Sequence, residues 1–470
     1  MKIKIKAQVS LLAICLLLTS LPVTAYAPKP VAATTQATAK TDEAFRFGKV
    51  DLDLLEQVNL LEKRFDKEGL VYHNGELEAY LDRVGQTVVA DKNIENVTWK
   101  FHALRDPTPN AFALPNGSIY INLGLLALLE DEAQLAGVLA HEVTHVTRRH
   151  TYVQNRSIRK KVLAINILST IGTWNPVGGA AGTAIGLIAN VSPFILVLSM
   201  FGYSRELEKQ ADMEGLKNLT AAGYQPDEMV NVIKVLQKDI EGEQLGSFYN
   251  DHPKLQDRAS YLSNSIGSTT NKMSDDQLKK AKTEYLAQME QADRQDIELA
   301  ILDERFRTAV FVSQKLVDFH PDISANVYYL AESYRALGPR APELTARELT
   351  GGEKKKAAKN RRRRTLEEQE AELMKTPAGQ EAWKVNQEKS EQLYLRALEL
   401  NRFNYLVHRG LGMLYEKVGK KEEAISQYRK YIELAPPNAA DSERFRRRLQ
   451  ALRGVSPDDT SPTSPPQENY

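Results

Sequence analysis

The run HEVTH at positions 141–145 constrains this chain more than any other feature, because it closes a stretch of helical apolar periodicity that begins near Asp131. Residues four apart on a helix project from one face about one turn apart, so His141 and His145 can serve one tetrahedral metal ion if this segment is helical. At about 100° per residue, Leu135, Val138, Leu139, Val143 and Val146 form an apolar arc, and Glu142 falls inside it. A carboxylate facing a core is costly unless something offsets its charge, and a nearby zinc ion with its water does so. HExxH on a helix is the arrangement in which the glutamate takes a proton from metal-bound water during peptide hydrolysis. The helix must therefore be buried, and a second element must bring a third ligand to it.

That ligand is not the next histidine. A third histidine of the HExxHxxGxxH kind would stand at 151 with glycine at 148, and these positions are Thr151 and Arg148, which excludes His150 from that role. The third ligand is then a carboxylate from another helix. In YSRELEKQADMEG, positions 203–215, Glu208 and Asp212 share a helix face at four-residue spacing. Glu208 is the expected third zinc ligand, and Asp212, one turn along, is placed to accept the free ring N–H of a ligating histidine and fix its tautomer. Glu206 and Glu214 read as ordinary surface acids. The sole cysteine, Cys15, lies in the apolar run Val9–Leu18, so the metal must be held by histidine and carboxylate.

That apolar run follows Lys2, Lys4 and Lys6 and precedes small residues around Ala25, the pattern of a secretory signal peptide over 1–25 with a retained N-terminal anchor as the alternative. A low-complexity linker over 26–50 comes next. The candidate metalloprotease domain spans 51–266. It opens with helical spacing between Asp51 and Asp91 (Leu54, Val58, Leu61, Phe65) and continues with a strand around Val97–Leu104. Two strand-like pieces, Ala111–Leu114 and Ser118–Asn122, then flank the Pro115-Asn116-Gly117 turn. From Val162 to Ser204 there is no charged residue, which suggests either a buried or membrane-touching hairpin or a loop over the site; Pro176, Pro193 and several glycines argue against clean transmembrane helices. A charged helical pattern resumes after Ser204 and runs to about Gly267. Over all 470 residues, 62 basic and 61 acidic side chains nearly cancel, so the whole-chain charge of +1 says nothing about partners. The apolar fraction of 42% excludes both a polytopic membrane protein and wholesale disorder.

The C-terminal third, 275–450, carries a repeat of about 34 residues. Leu411, Gly412, Tyr415 and Gly419 mark a first helix; Ala424, Tyr428, Tyr431 and Pro436 mark a second, the spacing of a tetratricopeptide repeat. Gly412 and Ala424 let the helices of one hairpin approach, and Tyr415 and Tyr428 are expected between neighbouring hairpins. Leu330, Ala331, Tyr334 and Gly338 form another first-helix pattern, preceded by a second-helix pattern ending at Pro321, and Tyr394 and Ala397 occupy second-helix positions, so one repeat is split by an insertion over 339–382. Within it, eight of the eleven residues Lys354–Arg364 are basic. Since acidic residues from Glu367 follow at once and the chain reads as exported, a solvated charged helix is the reading, with an anionic lipid surface or acidic partner as the alternative and nucleic acid excluded. The tail 455–470 is proline-rich and polar, the composition of a disordered end.

Taken together, NAFALPNGSIYI, HEVTH, the SRxxExxAD pattern at 204–212 and DHPKLQDR at 251–258 resemble the gluzincin peptidase family that includes the CAAX prenyl endopeptidase and HtpX. The resemblance implies zinc on His141, His145 and Glu208. It also implies a zincin-like fold, mainly α with a small β-sheet (α+β), here followed by an α-solenoid of repeats. His252 resembles the histidine of the family's HP-containing segment near the substrate cleft, and Arg258, six residues on, is a further site candidate. A signal peptide before and repeats after narrow the resemblance to periplasmic BepA-like members acting in outer-membrane protein quality control. The partners this implies are unfolded or misassembled envelope proteins, the outer-membrane assembly machinery through the repeats, and a membrane surface through 162–204. The basic insertion departs from that pattern. Two competing readings are a repeat-based chaperone or scaffold with a structural metal, and an integral prenyl-type protease, which needs bilayer-spanning helices.

Overall fold

The computed structural model describes residues 45–165, 203–237, 255–269, 278–342 and 365–454. The signal-peptide segment, most of the uncharged 162–204 stretch, His252, the basic run 354–364 and the tail 455–470 lie outside the described residues. Among those described, no helix is long and apolar enough to cross a membrane.

The segment expected to be one helix is two, α1 (Lys49–Lys67) and α2 (Gly75–Val88). The break is local chemistry: Gly69 takes φ +69°, and the Asn74 side chain starts a new helix by accepting from the amides of Glu76 and Leu77. Three strands follow, β1 (Lys100–Leu104), β2 (Ala111–Ala113) and β3 (Ser118–Asn122), in the order β1-β3-β2. β2 and β3 form the expected antiparallel hairpin, with Gly117 at φ +98° in its turn, while β1 pairs parallel to β3 with Lys100 opposite Ser118. β2 is thus an edge.

Behind the sheet lie α3 (Leu123–Leu128), the buried helix α4 (Glu132–Thr147) and α5 (His150–Ile165). The charged helical pattern after Ser204 resolves into α6 (Arg205–Ala221), α7 (Asp227–Gln237) and α8 (Leu255–Thr269). The largest apolar core gathers α2, the sheet, α4, α6 and α7. α4 is pinned at its start. Asp131 caps it by accepting from the amide of Gln134 at 2.8 Å, and buried Glu132 accepts from Tyr80 at 2.9 Å, Tyr224 at 2.8 Å, Arg83 at 3.0 Å and also Lys279. Burial alone would raise the Glu132 pKa, but these donors bring it below the usual range.

The remainder is helical: α9 (Lys282–Leu302), α10 (Phe306–Phe319), α11 (Ser324–Leu337), α12 (Leu366–Leu373), α13 (Pro377–Leu400), α14 (Tyr405–Lys417), α15 (Lys421–Leu434) and α16 (Ser442–Leu452). Among the described residues the protein is therefore mainly α with one small sheet. α11 and α13 pack against each other although 377 follows 337 by forty positions. Tyr428 meets Phe445 of the next helix, as expected, and also fills its own hairpin, where a Cβ on Gly412 would lie 2.4 Å from its ring. Gly410 in turn receives Tyr394 from the preceding hairpin, its Cβ position 2.4 Å from that ring. The helical array is seated on α3, where Ala127 packs with Ile297, Ala309 and Leu316, and Lys315 donates to the Ala127 carbonyl at 2.6 Å.

Candidate metal centre

α6 crosses α4 at Gly215, where a Cβ would stand 3.1 Å from the His141 amide nitrogen, and this close crossing sets Glu208 over the two histidines. Ser204 caps α6 through the Leu207 amide, fixing the helix start one turn before Glu208. His141, His145 and Glu208 are all buried, and a ligand atom of each lies within 4.8 Å of the others. The two Nε2 atoms are 3.1 Å apart, and the Glu208 oxygens stand 3.6 Å from each of them. Ligand atoms around a tetrahedral zinc with bonds of about 2.0–2.1 Å are separated by roughly 3.3 Å. The donor set matches that spacing. Electron-pair donors converging this closely repel one another unless a proton or a metal cation lies among them, and two imidazoles and a carboxylate fit zinc in charge and in size.

Asp212 lies 2.9 Å from His141 Nδ1. A carboxylate only accepts, so this contact puts the ring proton on Nδ1 and leaves the Nε2 lone pair facing the other ligand atoms. Asp212 is fully buried, which alone would raise its pKa, yet the Arg258 guanidinium and His141 hold it far below the usual carboxylate range. Arg258 donates to both its oxygens, from Nε at 2.8 Å and Nη2 at 2.7 Å, and its Nη1 is 3.3 Å from Glu208 Oε2. Arg258, a site candidate from sequence, thus joins the two carboxylates. Glu142 is buried on the same helix as both histidines, as its place in the apolar arc requires.

Sequence reasoning missed three contributors. Tyr261, one turn after Arg258, donates its hydroxyl to Asp212; the i, i+3 spacing from Arg258 was the available signal. Tyr203 stacks on His145 with ring centroids 3.9 Å apart and pairs its hydroxyl with Thr151 at 2.9 Å. It stands directly before the α6 cap, a position that periodicity does not weigh. Glu214, read as a surface acid, is partly exposed, and it accepts from the Gln210 side chain at 3.2 Å and pairs with Arg148. His150 is outside the candidate ligand set, and burial lowers its pKa to about 4.

With this geometry in place, the family comparison is direct: residues 76–266 match peptidase family M48. Residues 410–438 match the tetratricopeptide repeat. The chain is similar to the mitochondrial metalloendopeptidase OMA1 of Schizosaccharomyces pombe, 29% identical over 225 residues that cover 45% of this chain and 61% of the relative. It is also similar to the putative beta-barrel assembly-enhancing protease of Vibrio cholerae, 30% identical over 33% of this chain and 31% of the relative. The corresponding protein of Escherichia coli K12 is 26% identical over 34% of this chain and 32% of the relative. The chain spans less than two thirds of the length of each of these relatives.

Proposed function

We propose that this chain is an exported zinc-dependent endopeptidase that degrades misfolded envelope proteins or assists outer-membrane protein assembly. The observation that carries the reading is the convergence of His141, His145 and Glu208 on one point, with Glu142 on the helix that supplies both histidines. Zinc, when bound, supplies Lewis acidity that makes water ionise near neutral pH and polarises a carbonyl. The chain's residues do the rest. Glu142 takes the proton from the attacking water and passes it to the leaving amine nitrogen. Asp212 orients His141, and Arg258 keeps Asp212 ionised while holding Glu208 in register with it.

An extended substrate would lie along β2, the edge of the three-stranded sheet, pairing through its backbone; such pairing tolerates many side chains, as a quality-control enzyme requires. The envelope setting draws support from the relatives named for beta-barrel assembly, whereas the OMA1 relatives are mitochondrial, so the shared content is proteolysis by a metalloenzyme. The repeat helices would recruit substrate or an assembly partner over their concave surface. Glu142→Gln tests the reading. It is expected to keep stoichiometric zinc and to lose cleavage of an unfolded outer-membrane protein by about 10²- to 10⁴-fold. Undiminished cleavage in that variant rules the mechanism out, and stoichiometric zinc with no cleavage by the wild type favours a scaffold instead.

A further inference from the structure

Each histidine of the candidate centre needs its outward ring nitrogen satisfied, and the two are served differently. His141 has the carboxylate of Asp212. His145 has a second imidazole: its Nδ1 lies 3.0 Å from His150 Nδ1. Two ring nitrogens facing each other share one hydrogen, so one of them must donate and the other accept. The next contacts decide which. Glu214 only accepts, so Gln210 turns its amide nitrogen to it at 3.2 Å. The Gln210 carbonyl oxygen then faces His150 Nε2 at 3.2 Å, which requires the proton on that nitrogen. His150 Nδ1 is left with a lone pair, and the shared hydrogen belongs to His145 Nδ1. His145 Nε2 is consequently a lone pair, directed toward His141 and Glu208.

The backbone is arranged to make this contact. Arg149, between α4 and α5, takes φ +57°, a conformation that costs a residue other than glycine of order 1 kcal/mol or more. The turn folds His150 back against His145 one turn of chain later, with ring centroids 4.9 Å apart. Arg149 is held in that turn by the Glu95 carbonyl at 2.7 Å and by the rings of Phe45 and Phe47 at 5.5 and 5.0 Å.

We infer that His150 is a positioning residue for the second histidine of the centre: with Gln210 and Glu214 it holds His145 in the Nδ1–H tautomer, presenting the Nε2 lone pair to the metal. The inference rests on the metal-centre reading proposed above, and its test separates the two. Ring-¹⁵N histidine labelling of the purified, metal-free protein, with His145 assigned from a His145→Gln spectrum, reads the tautomer without zinc or turnover. The wild type is expected to carry the proton on Nδ1. Gln210→Met, which leaves both rings in place, is expected to convert His145 to a mixture of tautomers. In competition against a chromophoric chelator, His150→Phe is expected to weaken zinc binding by about ten- to a hundred-fold. His150→Gln, which can accept from His145 and donate to Gln210, is expected to retain most of the affinity. An Nε2–H tautomer in the wild type overturns the inference. So does wild-type zinc affinity in His150→Phe, or a loss in His150→Gln as large as in His150→Phe. If the Phe variant does not fold, Gln210→Met carries the same zinc expectation with a smaller loss. A wild type that keeps the Nδ1–H form but cleaves nothing supports the tautomer relay and defeats the proposed function instead.

Discussion

Gly215→Ala isolates the helix crossing on which the candidate centre depends. The added methyl would meet the Ala140 carbonyl carbon and the His141 amide nitrogen at 3.1 Å and the Ala140 oxygen at 3.2 Å. Carbon contacts are comfortable at about 3.5–4.0 Å, so α6 and α4 must part by roughly 0.3–0.5 Å. The stability terms nearly cancel: alanine gains about 1 kcal/mol over glycine inside a helix, and overpacking costs about 1–3 kcal/mol. A net loss of about 0–2 kcal/mol is expected. The metal term does not cancel. Glu208 sits on the displaced helix while both histidines sit on the other, and ligand distances tolerate only about 0.2 Å. Zinc affinity should therefore fall about tenfold or more while the melting temperature falls by only a few degrees, measured by chelator competition and calorimetry on the same preparation. Gly137→Ala on α4 is the control, since its methyl would meet Met229 no closer than 3.4 Å. It should leave zinc binding unchanged and stabilise by up to about 1 kcal/mol. Wild-type zinc affinity in Gly215→Ala, or equal losses in both variants, refutes the claim that this crossing sets the ligand triangle.

Two further outcomes follow from buried charge. Arg258→Met leaves Asp212 and Glu208 buried without their guanidinium and should cost about 3–5 kcal/mol, and added zinc should raise the melting temperature of this variant more than that of the wild type, because the ion replaces part of the lost positive charge; an equal zinc shift in both proteins counts against it. Asp293 and Asp296 on α9 are both raised by burial, Asp293 to about 6 despite Lys315 at 3.0 Å and Asp296 further, with Asp293 itself adding to the shift. Since the folded state then holds protons that the unfolded state has released, stability present below about pH 4 is lost as pH rises toward 6, by at most about 3 kcal/mol for Asp293. Asp296→Asn should flatten that slope and raise the melting temperature at pH 7.5, and an unchanged pH–stability curve would show that these acids do not titrate as the burial implies.

Much of this was legible from spacing alone, and the reason is that helices convert sequence distance into direction. The four-residue steps His141 to His145 and Glu208 to Asp212 placed each pair on one face, and the apolar arc required Glu142 to be buried. The strand hairpin was equally readable, because Pro115-Asn116-Gly117 sits between two short alternating runs. What spacing cannot register is a contact between helices distant in sequence. Glu214 reads as a surface acid because its periodicity is that of an exposed face; the bond from Gln210 is an i, i+4 contact within α6, but Arg148 reaches it only once α6 lies on α4. The contact of Tyr428 inside its own hairpin escaped for the same reason. A tyrosine at a helix–helix seam can turn toward either neighbour, and what decides it is the missing side chain of Gly412 opposite. The single helix expected between Asp51 and Asp91 failed on a more local point, because the Asn74 cap outweighs apolar periodicity that would have run through it.

The charges around the centre combine into one argument about water. Two neutral imidazoles and Glu208 bring one negative charge to a divalent ion, so the ligand set leaves it a net positive charge. Asp212, only one helical turn from Glu208 and bound to His141, would cancel the remainder if its charge were free to act. Arg258 prevents this by forming a two-point pair with Asp212 and returning that carboxylate to neutrality as a unit. Asp212 can therefore orient His141 and raise its basicity without quenching the excess positive charge that acidifies water. On the proposed reading, Glu142 is the acceptor for the proton that water releases. On this account, the arginine forty-six positions after Asp212 belongs to the chemistry of the site as well as to its stability.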